Sequence, residues 1–163
     1  LDVKASKKFK LLSLDKSIEA LRTNNSSGML VQGDVFQMPI KNACLDGVYN
    51  LGLMEHFPEN QIVAMLKEFD RVLKERGKLT IFWPPEFGLS VNFLKAANFM
   101  INKIFKKNIK FHPDEITRIK SYHFVKSIFE RGNFKIMNYY FGPRDLFTYV
   151  VIVLKKNESF GFH

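Results

Sequence analysis

DGVYNLGLMEHF, Asp46 to Phe57, is the stretch on which the fold turns. Gly47-Val48-Tyr49-Asn50 reads as a short strand that stops at an asparagine. A small-residue turn, Leu51-Gly52, follows it, and then an acid–histidine pair, Glu55-His56. In open α/β sheets ligands bind beyond the carboxyl ends of the strands. A strand that ends on a polar residue and is followed at once by a turn fits such an edge.

Working outward, Phe9 to Leu14 is an apolar run ending at Asp15, the pattern of a buried parallel strand. Ser17 opens a helix through Leu21, which closes near the Asn24 to Gly28 turn cluster. Met29 to Gln32 is a second strand, ending at Gly33-Asp34. Ile62, Leu66, Phe69 and Leu73 predict a helix over 59–76, with Gly77 as its stop. KLTIFW, Lys78 to Trp83, is a fourth strand broken by Pro84-Pro85. An amphipathic helix is expected over 91–107, Pro113 suits a helix first turn, and another helix runs from Tyr122 to Arg131. FKIMNYYF (134–141) and LFTYVVIVLKK (146–156) are strands joined through Gly142 to Asp145, close enough to pair antiparallel. The order is α/β, a mostly parallel sheet with an antiparallel C-terminal hairpin. The expectation is one domain over 1–156 and a flexible tail at 157–163.

Composition narrows the setting. The single cysteine, Cys44, excludes an internal disulfide framework. No apolar stretch is long enough to span a bilayer and no signal peptide is recognisable, so the expected location is the cytoplasm. The net charge of +9 is concentrated in two places. Residues 88–111 carry Lys95, Lys103, Lys106, Lys107 and Lys110 with no acid, and residues 1–10 carry four lysines against Asp2. Localised charge of this kind suits an anionic partner or surface, or a solvated lysine-rich face. The lysine-rich segment is interleaved with Phe87, Phe93, Phe99, Phe105 and Phe111. Residues 84–111 therefore read either as a lid over an apolar or amphiphilic substrate, able to touch an anionic membrane peripherally, or as a packing helix.

The strand ends present Asp15, Asp34, Asn50 and Glu86. Acids at such positions can grip a ribose diol or an exocyclic amine. Taken in order, LSLDKS, GDVFQMPIKNACLDGVYNLGLMEHF and MLKEFDRVLKERGKLTIF resemble the class I S-adenosylmethionine-dependent methyltransferases of the small-molecule type. The resemblance is close from Phe9 to Phe82 and looser over the hairpin. It implies a Rossmann-like fold, S-adenosylmethionine as cofactor and a small, apolar or amphiphilic acceptor. It implies Asp15 at the cofactor ribose, Asp34 and the Val35 backbone at the adenine, and Asn50 and Leu51 along the methionine part. Glu55 and His56 fall on the substrate side, His56 as the candidate catalytic group, with Trp83, Phe87 and Phe93 as substrate-binding candidates. No metal is implied.

The family's glycine-rich first turn does not precede Asp15. Either residues 1–8 end the first helix, or Leu1-Asp2-Val3 ends the first strand with loop and helix deleted. Both alignments expect an N-terminally truncated chain, a gap beside the first strand and weakened cofactor binding. The competing readings are a non-catalytic methyltransferase-like domain acting through partners and a nucleic-acid methyltransferase or binder. Against the latter, Leu51-Gly52-Leu53 follows Asn50 where an Asn-Pro-Pro-Tyr strand end would be needed, and the lysines lie on an amphipathic helix.

Overall fold

The computed structural model describes residues 9–23, 28–86, 116–143 and 148–157. The helix expected at 91–107, Pro113, the substrate candidates Phe87 and Phe93, and the tail beyond Asn157 lie outside these residues. The chain divides into two compact units, Leu1–Lys41 and Asn42–His163.

The first unit contains β1 (Leu12–Asp15), α1 (Ile18–Thr23) and β2 (Met29–Gln32). The strands pair in parallel, from Leu12 opposite Met29 to Asp15 opposite Gln32. The helix starts at Ser17 because its Oγ accepts the Ala20 N–H at 3.2 Å, satisfying a donor that the first turn would leave orphaned. Leu21 and Met38 are buried, whereas Met29 and Leu30 are exposed.

The second unit contains β3 (Leu45–Leu51), a 3-10 turn (Met54–His56), α2 (Glu59–Val72), β4 (Leu73–Trp83), α3 (Tyr122–Arg131), β5 (Phe134–Tyr140) and β6 (Val150–Lys156). Its sheet has the order β3-β4-β6-β5. β3 and β4 are parallel, and β6 runs antiparallel to both β4 and β5. The expected hairpin is therefore present, with its last strand inserted between β4 and β5. Ile62, Met65, Leu66, Phe69 and Val72 of α2 recur at helical spacing and are buried, as are Val125, Ile128 and Phe129 of α3. Alternate residues of β4 and β6 (Leu79, Ile81 and Trp83; Val150, Ile152 and Leu154) are fully buried. The described strands thus fall in two sheets, one in each unit.

One boundary moves. α2 stops at Val72 rather than 76, and the chain is already extended at Leu73 (φ −74°, ψ 137°). The Lys156 ammonium donates to the carbonyls of Asp70 (2.7 Å) and Leu73 (3.1 Å) and lies 3.3 Å from the Asp70 carboxylate. It takes acceptors that another helical turn would have used. Leu73 also pairs with Leu45, so β3 captures the chain four residues before Gly77. Gly132 does follow α3 as expected, although the left-handed residue there is Asn133 (φ 70°). Glycine is needed at 132 for proximity: a Cβ would stand 2.5 Å from that of Leu66 on α2.

Candidate functional site

In the first unit the two expected acids come to the same end of a parallel pair. Asp15 closes β1, and its backbone carbonyl accepts the Gly33 N–H at 3.0 Å just beyond β2. Its Oδ1 accepts the Ser17 N–H at 2.8 Å, an Asx turn leading into α1. Asp15 is exposed, and capping of the helix falls to Ser17. Asp34 is held more firmly. Its Oδ1 accepts the Phe36 N–H at 3.0 Å and its Oδ2 accepts from the Lys16 ammonium at 3.3 Å. The Phe36 N–H, and less strongly Lys16, hold this carboxyl below the usual carboxylate range, against a partial desolvation that opposes them. Val35, half-buried, lies in the tight turn between Asp34 and Gln37.

In the second unit Asn50 and Leu51 pair with Ile81 and Phe82 at the carboxyl end of β3. Asn50 is 9% exposed, and neither Nδ2 nor Oδ1 has a hydrogen-bond partner among the described residues. An amide buried in this way costs about 1–3 kcal/mol of unpaid desolvation. Each such group in a folded protein calls for an explanation, a bound ion, water or ligand among them. Leu51 is about half exposed. Gly52 then turns the chain at φ 67°, a left-handed conformation that favours glycine, with its N–H on the Phe82 carbonyl at 3.3 Å.

Glu55 and His56 are expected to open the next helix. They stand instead in a separate 3-10 turn, because Pro58 begins α2 on its far side. Glu55 is only 5% exposed, and its carbonyl accepts the N–H groups of Ile116 (2.6 Å) and Thr117 (3.0 Å). His56 beside it is half-buried. Trp83 requires a correction. It has no exposed surface, its indole N–H donates to the Thr117 carbonyl at 2.9 Å, and it packs edge-on against Phe129. Both its apolar body and its polar handle are used inside the core, so it is a core residue rather than a substrate contact.

Two contributors escaped the sequence reading. Residues 116–119 run beside the strand ends, where Ile119 exchanges hydrogen bonds with Pro84 and Glu86. Tyr149, immediately before β6, reaches the same rim because β6 is antiparallel and begins where β4 ends. Its hydroxyl lies 4.0 Å from the point where a Cβ of Gly52 would stand, and the Glu55 Oε1 lies 3.4 Å from that point. No local motif marks either one. Only the strand order brings them in.

The family described as methyltransferase domain matches residues 5–81. No curated protein matches significantly in sequence. A S-adenosylmethionine-dependent methyltransferase from Methanosarcina mazei is similar in structure, with a TM-score of 0.68 at 15% identity, over 96% of this chain and 86% of that one. A Pyrococcus horikoshii protein has a TM-score of 0.64 at 17% identity, over 94% and 74% of the two chains. The Burkholderia thailandensis 1,6-didemethyltoxoflavin-N1-methyltransferase, solved with S-adenosylhomocysteine and its acceptor, has a TM-score of 0.65 at 12% identity, over 94% and 64%. At these identities the similarity is one of fold.

Proposed function

We propose that the chain is a class I S-adenosylmethionine-dependent methyltransferase domain, a reading supported by the family match and by the fold of its structural neighbours, and that it methylates a small-molecule acceptor. Asp15 binds the cofactor ribose, Asp34 with the Val35 backbone binds the adenine, and Asn50 with Leu51 binds the methionine part. The observation that carries this reading is the Asn50 amide, a buried donor and acceptor with no protein partner among the described residues, at the end of a parallel strand. An α-amino acid group offers an ammonium and a carboxylate, which complement the two ends of an amide. The small-molecule acceptor is supported by the Burkholderia enzyme, which acts on one.

S-adenosylmethionine, when bound, supplies a methyl group already activated on a sulfonium. The residues therefore have to align the acceptor, exclude water and take a proton where the nucleophile carries one. Asn50 and Leu51 fix the donor end. Glu55 and His56 face the acceptor, and His56 accepts its proton.

The test is calorimetry with S-adenosylhomocysteine. Binding is expected for the native chain, and Asn50→Leu is expected to weaken it at least about tenfold, since a site built around an amide then loses its polar partner. The same substitution removes an unsatisfied buried group, so the midpoint of thermal unfolding without ligand should stay level or rise. Absence of any heat with the native chain would sink the proposal.

A further inference from the structure

One face of the sheet in the second unit carries a pattern that cofactor binding does not use. α2 and α3 pack against the face that holds Leu79, Ile81, Trp83, Ile152 and Leu154. The strand register fixes what the opposite face holds, since residues directly opposite one another share a face. Lys78 pairs with Lys155 and Lys155 with Lys135, so three lysines stand side by side across β4, β6 and β5. Four residues further along β4 and β6, Phe82 pairs with Val151. Tyr140 and Leu51 extend that second row on either side. Thr80 and Val153 lie between the rows, with Tyr49 beside Thr80. None of these positions is acidic. The face is open: Leu51 is 51% and Tyr49 41% exposed, Lys78 and Lys135 are exposed, and Phe82, Val151, Val153 and Tyr140 are half-buried.

A sheet face that meets only water is polar along the whole of each strand. Here polarity is separated by end, cations at one and apolar side chains at the other. Like charges on facing positions oppose strand pairing, and an anionic surface offsets that repulsion. A contiguous apolar row in water marks an interaction surface. We propose that this face docks onto an anionic bilayer, with the lysine row among the lipid phosphates and the row of Leu51, Phe82, Val151 and Tyr140 in the acyl boundary. The rows are about 13 Å apart along the strand. A surface that lies on a bilayer enters it by about 5–10 Å, so long lysine side chains stay among the headgroups while the apolar row reaches the boundary. The net charge of +9 adds long-range attraction. That apolar end is also the rim where β3 stops, so docking sets Asn50 close to the bilayer surface.

Two other occupants fit the pattern less well. Single-stranded nucleic acid calls for cations interleaved with stacking rings, whereas Phe82 and Tyr140 stand at the end away from the lysines. A second copy would bring another lysine row and another +9 against this one.

Vesicle flotation tests the surface. It is read without cofactor, so its outcome is separate from that of the methyltransferase reading. The chain should float with vesicles of phosphatidylglycerol and phosphatidylcholine, stay behind with phosphatidylcholine alone, and be released by salt. Each lysine at an anionic surface is worth about fivefold in partitioning, so the double substitution Lys78→Gln, Lys135→Gln should weaken binding about thirtyfold. Lys67→Gln with Lys126→Gln removes the same charge from α2 and α3, on the other side of the sheet. That change should weaken binding by less than about threefold, because charges beyond a Debye length from the lipid are screened. Leu51→Ser should weaken it about fivefold to tenfold through lost apolar burial. Circular dichroism checks that each variant keeps its fold.

Failure of the native chain to float overturns the proposal, as do equal losses in the two double variants or flotation indifferent to lipid charge. Anisotropy of a labelled single-stranded RNA would overturn it in another way. Tight binding lost in Lys78→Gln, Lys135→Gln, without flotation, makes this face a nucleic-acid surface. A dimer in light scattering that Leu51→Ser separates assigns the face to self-association instead. A chain that floats but gives no heat with S-adenosylhomocysteine keeps the docking surface and loses the cofactor reading.

Discussion

The two units hold their candidate site residues on very different foundations. Around Asp15 and Asp34 the described core is Leu21 and Met38, while Phe9, Met29 and Leu30 are 62%, 66% and 46% exposed. Behind Asn50 and Glu55 stand fully buried Ile62, Leu66, Trp83, Phe129, Ile152 and Leu154. The acids are therefore positioned by local hydrogen bonds, to Ser17, Phe36 and Lys16, and the amide and the buried glutamate by packing. Local bonds position a side chain cheaply but stabilise little against opening; a packed layer does the reverse. The contrast predicts that the first unit tolerates core substitutions that the second does not.

The largest expected effect is at Trp83. Trp83→Ala removes a fully buried ring and the hydrogen bond to Thr117, and should cost about 3–5 kcal/mol in chemical denaturation. Leu21→Ala, in the thinner unit, should lie at the low end for its type, about 2 kcal/mol, because the surroundings hold less to lose. Equal costs at the two positions would erase the distinction drawn here.

Next in size is Lys156. Lys156→Met keeps the aliphatic stem and deletes the ammonium that satisfies the Asp70 and Leu73 carbonyls. A loss of about 1–2 kcal/mol is expected, with amide exchange increasing first around Asp70 to Leu73. No change in that exchange would mean that strand pairing at Leu45 alone ends the helix.

These substitutions also mark what was legible in the sequence. The strands ending at Asp15 and Gln32, the strand through Asn50 (which runs one residue further, to Leu51), and the helix from Tyr122 to Arg131 were readable because their signals are local: apolar runs, turn residues and 3.6-residue spacing. The early end of α2 was not, since the group that ends it lies 83 residues away, and no window around Leu73 contains Lys156. Trp83 misled for a related reason. A tryptophan at a strand's carboxyl end looks like a pocket wall until Thr117, 34 residues on, takes its N–H. Asn50 was identified from its place in the strand, but its lack of a partner is a fact of packing. Tyr149 had no signal at all, because its relevance depends on β6 inserting beside β4.

The smallest effect tests the local half of the comparison alone. The Asp34 carboxyl is held below its ordinary value of 3.8, chiefly by the Phe36 N–H and less by Lys16. A carboxylate whose pKa is depressed by folding adds stability that is present above its unfolded value and is lost as pH falls through the folded one. The first unit should therefore loosen on acidification below 3.8. The change should be small, because this side chain is 42% exposed and solvent screens its ion pair. A side-chain NMR titration should place the Asp34 midpoint below 3.8. Lys16→Met should leave most of the displacement in place, since a backbone N–H is the principal cause and salt hardly screens a direct hydrogen bond. If Lys16→Met or added salt instead returns the midpoint to 3.8, the turn at Phe36 is not what holds this acid. Its position would then depend on a flexible, largely exposed lysine, and the first unit would have even less of its own to fix this acid.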